Sequence, residues 1–137
     1  MKKGGRLPLD TGDLNIKEIN HILNALPVDI TFVDSDDKVR FFNRIGKRVF
    51  ARTRGVIDKE VRNCHTKKSL DAVNDIVEGF KSKRRDTAEF WITLGGRLIF
   101  IRYFAVRDEE GKYIGCLEVS QDITEIKEIK GEKRLLD

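Results

Sequence analysis

The sequence predicts an α+β domain: a five-stranded, mainly antiparallel sheet with helices on one face, an amphipathic N-terminal helix and a C-terminal exit helix. Three observations predict it. Two β-rich runs, Ile30 to Val33 and Val39 to Asn43, flank the turn-forming DSDDK and read as a hairpin. Three longer runs, TAEFWITL, RLIFIRYFAV and YIGCLEVS, are joined by the short turns LGGR and RDEEGK. Between these groups SLDAVNDIVEGFKS carries Leu70, Val73, Ile76, Val77 and Phe80 on one helical face. Strands that precede and follow helices without alternating with them indicate α+β rather than α/β. The length of 137 residues fits one such domain.

The remaining elements follow in chain order. Residues 1–12 read as a flexible leader or linker. Residues 13–26, DLNIKEINHILNAL, form an amphipathic helix: Asp13 is placed to cap it, and Ile16, Ile19, Leu23 and Leu26 make one apolar stripe. Pro27 ends it, and His21 lies off the stripe. After the first hairpin RIGKRVF reads as a short helical piece, followed by irregular sequence through Asn63. At the end, residues 125–137 form the exit helix of DITEIKEIKGEKRLL, with Asp122 and Glu125 in a capping-box arrangement. Ile126, Ile129 and Leu136 are loosely heptad-spaced there, and Gly131 interrupts them.

If LGGR is a tight turn, Leu94 opposes Arg97, Trp91 opposes Phe100 and Glu89 opposes Arg102. One face then carries Phe90, Ile92, Leu94, Ile99, Ile101, Tyr103 and Ala105 and should meet the helices. The other carries Glu89, Trp91, Leu98, Phe100, Arg102 and Phe104, too many aromatic residues for a solvent face. The N-terminal helix, of the same chain or of a second copy, is the expected cover, with a Glu89–Arg102 ion pair at the seam. Ile16, Ile19, Leu23, Trp91, Phe100 and Phe104 are accordingly the expected homodimer interface.

Composition excludes several classes. The chain is 39% hydrophobic and 36% charged, with a formal net charge of +4. No apolar run approaches the ~20 residues of a membrane span, and MKKGGRLPLD lacks the apolar stretch of a signal peptide, so a cytoplasmic protein with no membrane partner is expected. The basic KSKRR has no aromatic residue to stack a base, so no nucleic-acid partner is expected. Two cysteines, Cys64 and Cys116, do not make a disulfide framework. No phosphate-binding glycine loop, Ser-His-Asp order, HExxH or paired-carboxylate signature is present, and no enzyme activity is expected.

At this point LPVDITFVDSDDKVRFFN and GGRLIFIRYFAVRDEEGKYIGCLEVSQDIT resemble a PAS sensory domain. The most specific part is the closing glycine turn, final strand and Asp-Ile-Thr leading into a helix. The resemblance covers roughly Leu26 to Glu128, with the domain itself over 27–124. More narrowly, LPLDTG, LPVDITFVD and the Asn-Cys-His of residues 63–65 resemble the C-terminal PAS domain of bacterial and archaeal proteins that carry a domain of unknown function and a hemerythrin-like domain. In that family prolines are expected where Thr66 and Lys67 stand. The resemblance implies a small-molecule pocket between sheet and helices. Phe32, Phe41, Phe50, Cys64, His65, Phe90, Ile92, Ile101 and Tyr103 are its candidate lining, and Asp122, Ile123 and Thr124 its transmission point. A ligand-responsive sensor and a ligand-free dimerisation or interaction module are both compatible with these residues, because core and pocket walls use the same side chains.

The resemblance leaves the ligand unknown. A flavin would want amide side chains where Ile92, Thr93 and Ser120 stand, and is disfavoured. Haem in oxygen-sensing relatives hangs from a histidine near the position of Val73, although a Cys-His pair is itself competent to ligate iron. Cys64 and His65 supply two of the four ligands that a structural zinc needs. A Cys-His turn also packs and caps a following helix with no ligand at all.

Overall fold

The computed structural model of the chain describes residues 5–60 and 67–136. The elements are β1 (Leu7–Leu9), β2 (Gly12–Leu14), α1 (Ile16–Ala25), β3 (Asp29–Asp34), β4 (Val39–Phe42), α2 (Lys67–Lys81), β5 (Thr87–Leu94), β6 (Arg97–Arg107) and β7 (Tyr113–Asp122). The main sheet is antiparallel throughout, in the order β4-β3-β7-β6-β5. Among the described residues no helix is long and apolar enough to cross a membrane.

The β5–β6 turn sets the register of the sheet. Gly95 and Gly96 sit at φ 55° and 77°. A two-residue hairpin turn of this hand needs positive φ at both centres, where glycine meets no Cβ clash. Leu94 therefore opposes Arg97, Trp91 opposes Phe100 and Glu89 opposes Arg102. The ion pair expected of the last two is replaced by stacking. The Arg102 guanidinium lies 4.8 Å from the Phe100 ring centroid and 5.8 Å from that of Phe104.

Strand alternation sorts the side chains into two faces. The inner one carries Asp29, Thr31 and Val33 from β3, Phe90 and Ile92 from β5, Ile99, Ile101 and Tyr103 from β6, and Cys116, Glu118 and Ser120 from β7. Phe32 and Phe41, expected inward, lie on the outer face instead: they oppose each other, and Phe32 opposes Leu117, which in turn opposes Phe104. The inner side of β3 is polar because the segment after β4 satisfies it. The Asp29 carboxylate accepts from the Val49 N–H at 2.6 Å, and Thr31 Oγ1 accepts from Arg48 at 3.0 Å.

The core gathers at one end of the inner face. Phe80 of α2, fully buried, packs there with Val33, Val39, Tyr103, Tyr113 and Cys116. Burial of such a side chain contributes about 1.5–3 kcal/mol. Val73 and Val77 extend the same buried stripe along α2.

The termini and the segment after β4 differ from the sequence expectation. Part of the leader is structured: β1 and β2 pair as a hairpin, and Arg6 bridges Asp13 and Glu18. Helix α1 starts at Ile16, and its cap is Asn15, two residues beyond Asp13. Asn15 Oδ1 accepts from the Glu18 N–H at 2.7 Å, and Glu18 Oε1 accepts from the Asn15 N–H at 3.0 Å. RIGKRVF is not helical, since Arg44 and Gly46 take φ 55° and 81°. The exit helix is absent as well. Only a 3-10 turn, Ile126–Glu128, forms, and residues 129–136 contain no helix. A short segment broken by Gly131, with Leu135 and Leu136 packed on nothing, lacks the tertiary contacts that stabilise most protein helices.

Helix α1 does not cover the aromatic outer face by burial, because none of its residues is buried. It is fastened at its C-terminal end by hydrogen bonds. The Asn43 side-chain amide donates to Leu23 O at 2.7 Å and to Val28 O at 3.1 Å, and the Arg44 N–H donates to Asn24 Oδ1 at 2.8 Å. Ile16 and Trp91 remain 66% and 65% exposed.

Candidate functional site

Phe80 plugs the core at the C-terminal end of α2, whereas further along the same helix Ala72, Val73 and Ile76 stand off the sheet. A cavity of about 550 Å³ lies between them and the inner face. Pockets of this size suit small-molecule ligands. Phe50, Phe90, Ile92, Ile101 and Tyr103 line it, and the rings of Phe90 and Tyr103 meet edge to face at 5.4 Å. Phe32 and Phe41 are excluded by their strand face. Phe41 belongs instead to a separate groove beside α1, with Phe42 and Ile45. Cys64 and His65 lie outside the described residues. Cys116 is buried in the core, and burial pushes its thiol well above the ordinary value. Among the described residues no group of three or more His, Cys, Asp or Glu side chains is placed to hold a metal.

The polar part of the wall consists of Thr31, Glu118 and Ser120 on the sheet, the Tyr103 hydroxyl, and Arg48 and Arg52 from the segment after β4. The two arginines differ in their partners. Arg48 is committed to the fold: Nε donates to Phe50 O, Nη1 to Ile30 O and Asn43 O, and Nη2 to Thr31 Oγ1, all within 3.1 Å. Burial pulls its guanidinium below the ordinary value, and the nearby Asp29 charge opposes that. Arg52 is poorly served. Its Nη2 stands 3.5 Å from Glu118 Oε2, and its buried Nε has no hydrogen-bond partner among the described residues. Glu118, itself buried, is held above the usual carboxylate range by burial, with Arg52 and then Arg48 pulling the other way.

Glu118, Ser120 and Asp122 share one face of β7, and Asp122 lies about 13 Å along the strand from Glu118. There a clasp ties the chain's exit to the β5–β6 hairpin. Arg97 Nε donates to Asp122 Oδ2 at 2.7 Å, and its Nη2 to Glu125 Oε2 at 2.5 Å. Asp122 Oδ1 accepts from both the N–H and the hydroxyl of Thr124, while Thr124 Oγ1 accepts from the Leu98 N–H at 2.9 Å. The Ile123 N–H donates to Leu98 O, also at 2.9 Å. Hydrogen bonds from Arg97 and Thr124 hold the Asp122 carboxyl down to about 2. The sequence singled out Asp122, Ile123 and Thr124, which the clasp joins, but not their partner Arg97. Arg48, Arg52 and Glu118 were also missed, although one signal was present: a lone glutamate interrupts the apolar strand GCLEVS.

A family model described as a PAS domain matches residues 19–124. Among solved structures, the C-terminal domain of a Streptococcus mutans protein is 35% identical, with a TM-score of 0.84 over 91% of this chain and 97% of that one. The PAS domain of a Colwellia psychrerythraea protein matches at 14% identity and TM-score 0.58, covering 80% of this chain and 98% of its own. A sensory box sensor histidine kinase from Vibrio cholerae matches at 12% identity and 0.56, covering 77% and 89%. None of the curated proteins matches the chain in sequence.

Proposed function

From the premise that this chain belongs to the PAS domain family, we propose that it is a non-catalytic sensory module of the cytoplasm that binds a small ligand in the sheet–helix cavity and passes occupancy on through β7. The observation that carries this reading is the continuity of one strand: β7 contributes Glu118 and Ser120 to the cavity wall and Asp122 to the exit clasp. A ligand that shifts the sheet side of the cavity moves the anchor of Asp122, Ile123 and Thr124, and with it the chain that leaves the domain. The likeness to sensor histidine kinase structures supports the signalling role by fold. The similarity to a Streptococcus mutans C-terminal domain supports the further reading that the module ends a longer protein; a domain of unknown function and a hemerythrin-like domain before it are proposed on the sequence resemblance alone. The exposed Trp91, with Phe100 and Phe104 beside it, and the exposed Ile16 on α1 support assembly as a homodimer through the outer face.

Native mass spectrometry of the purified protein, with a visible absorption spectrum, tests the cavity reading. A bound small molecule that is lost when Ile101→Trp fills the cavity is the expected result. A bound species retained unchanged by the cavity-filled variant, or a ligand-free wild type whose stability no small molecule alters, would overturn it in favour of a plain interaction module.

A further inference from the structure

Resting on that cavity reading, we propose that the ligand is a singly charged carboxylate with an apolar body, with Arg52 as the anchor for its head group and Glu118 as the built-in rival for that anchor. A guanidinium carries five N–H donors in a flat fork that matches a carboxylate edge. Among the described residues Arg52 spends them on one contact at 3.5 Å, the outer limit of a hydrogen bond, and its buried Nε has no acceptor there. A largely buried cation left this short of acceptors favours any ligand that brings two oxygens.

Charge and surface narrow the class further. Arg48 is already committed to the fold with the Asp29 charge beside it, so Arg52 is the cation left to neutralise, and once Glu118 is neutral a single ligand carboxylate balances it. Phe50, Phe90, Ile92, Ile101, Val73 and Ile76 make up most of the remaining wall, so the body of the ligand is apolar. A second charge on the ligand would be buried against these side chains without a partner, which disfavours dicarboxylates and phosphate esters.

Glu118 gives the site its pH response. Among the described residues the charged and titratable groups facing it are Arg52 and Arg48 from the segment after β4, Tyr103 opposite it on β6, and Cys116 two residues away on β7. Among its described side chains helix α2 brings Ala72, Val73 and Ile76 to the cavity. When a ligand carboxylate takes Arg52, Glu118 loses its main counter-charge and gains a like charge, and both effects favour its neutral form. Binding therefore takes up a proton from solvent, and Glu118, released from Arg52, is the residue of β7 that reports occupancy.

The test is calorimetric titration with phenylacetate and hexanoate against their neutral amides, for the wild type, Arg52→Gln and Glu118→Gln, each checked by circular dichroism for the native fold. The acids are expected to bind about tenfold or more tightly than the amides, as charge-assisted bonds imply. Arg52→Gln should erase that preference. Glu118→Gln should tighten acid binding and abolish the proton uptake seen by comparing buffers of different ionisation enthalpy. Equal binding of acid and amide, or a preference that survives Arg52→Gln, overturns the anion inference and leaves the cavity reading standing. Weaker acid binding by Glu118→Gln overturns the rival role. If none of the four probes binds, the inference falls, and the native-mass experiment decides the cavity reading separately.

Discussion

Removing the side-chain amide of Asn43 should detach α1 and cost a large part of the fold's stability. Asn43 is 1% exposed and makes four contacts at once. Its Oδ1 accepts from the Ile30 N–H at 2.7 Å and lies 3.3 Å from Arg48 Nη1, and its Nδ2 donates to Leu23 O and Val28 O. In Asn43→Ala the Ile30 N–H is left buried without an acceptor, at about 1–3 kcal/mol. The two carbonyls are only partly buried and exchange their donor for water, at about 0.5–1.5 kcal/mol each. The sum is about 2–6 kcal/mol, against a typical total of about 5–15 kcal/mol. For a domain of this size, a loss near the middle of that range lowers Tm by about 10–15 °C. Urea unfolding followed by circular dichroism measures it, and hydrogen exchange shows whether the α1 amides lose protection first. Asn43→Asp is the sharper control. It keeps an acceptor for Ile30 but turns an oxygen toward two carbonyls, so it should be as damaging as alanine. A loss below about 1 kcal/mol in both variants would refute the claim that hydrogen bonds rather than apolar burial hold α1.

Three further outcomes are expected. At Gly115, φ 159°, an added Cβ would lie 2.4 Å from Val33 O and 2.5 Å from the Phe32 ring, so Gly115→Ala should cost about 3 kcal/mol in urea unfolding, and a neutral result would mean that the β3–β7 contact is slack. The Asp122 carboxyl is depressed to about 2 from an ordinary 3.8, so its stabilising effect is complete above the ordinary value and lost as pH falls through the folded one. Arg97→Ala should flatten the acid limb of a stability–pH curve between those values, and an unchanged limb would show that the clasp does not bear on folding. Trp91→Glu should yield monomers by light scattering, while a mass unchanged from a dimeric wild type would place the interface elsewhere.

How much was legible depended on whether a strand's inner side is apolar. In β5 and β6 it is, and a glycine turn fixes the register, so Trp91 against Phe100 and the inward set from Phe90 to Tyr103 could be read directly. In β3 it is not. Asp29 and Thr31 face inward because Val49 and Arg48 satisfy them from a segment whose path no local pattern encodes, and Phe32, expected as pocket lining, takes the other side. The same non-local segment carries Arg52 to the cavity beside Glu118, a meeting across 66 residues that no spacing announces. The exit helix was overread for the opposite reason. Its local signals, Asp122 and Glu125, are real, but Arg97 claims both carboxylates, and no apolar surface receives Ile129 and Leu136.

The pairing of β3 with β7 has a mechanical consequence. Asp29 at the start of β3 lies opposite Ser120 near the end of β7, so the incoming and outgoing chains leave the sheet side by side at the same end. A pull that separates the two ends loads this ladder one rung at a time, as a zipper, instead of shearing all its rungs together. The two fasteners that guard the opening are the Asn43 bonds to α1 and the Arg97 clasp on Asp122, and neither is backed by deep apolar packing. Tension applied at the two ends would therefore be felt first at the strand that borders the cavity, and the domain should yield at low force when stretched.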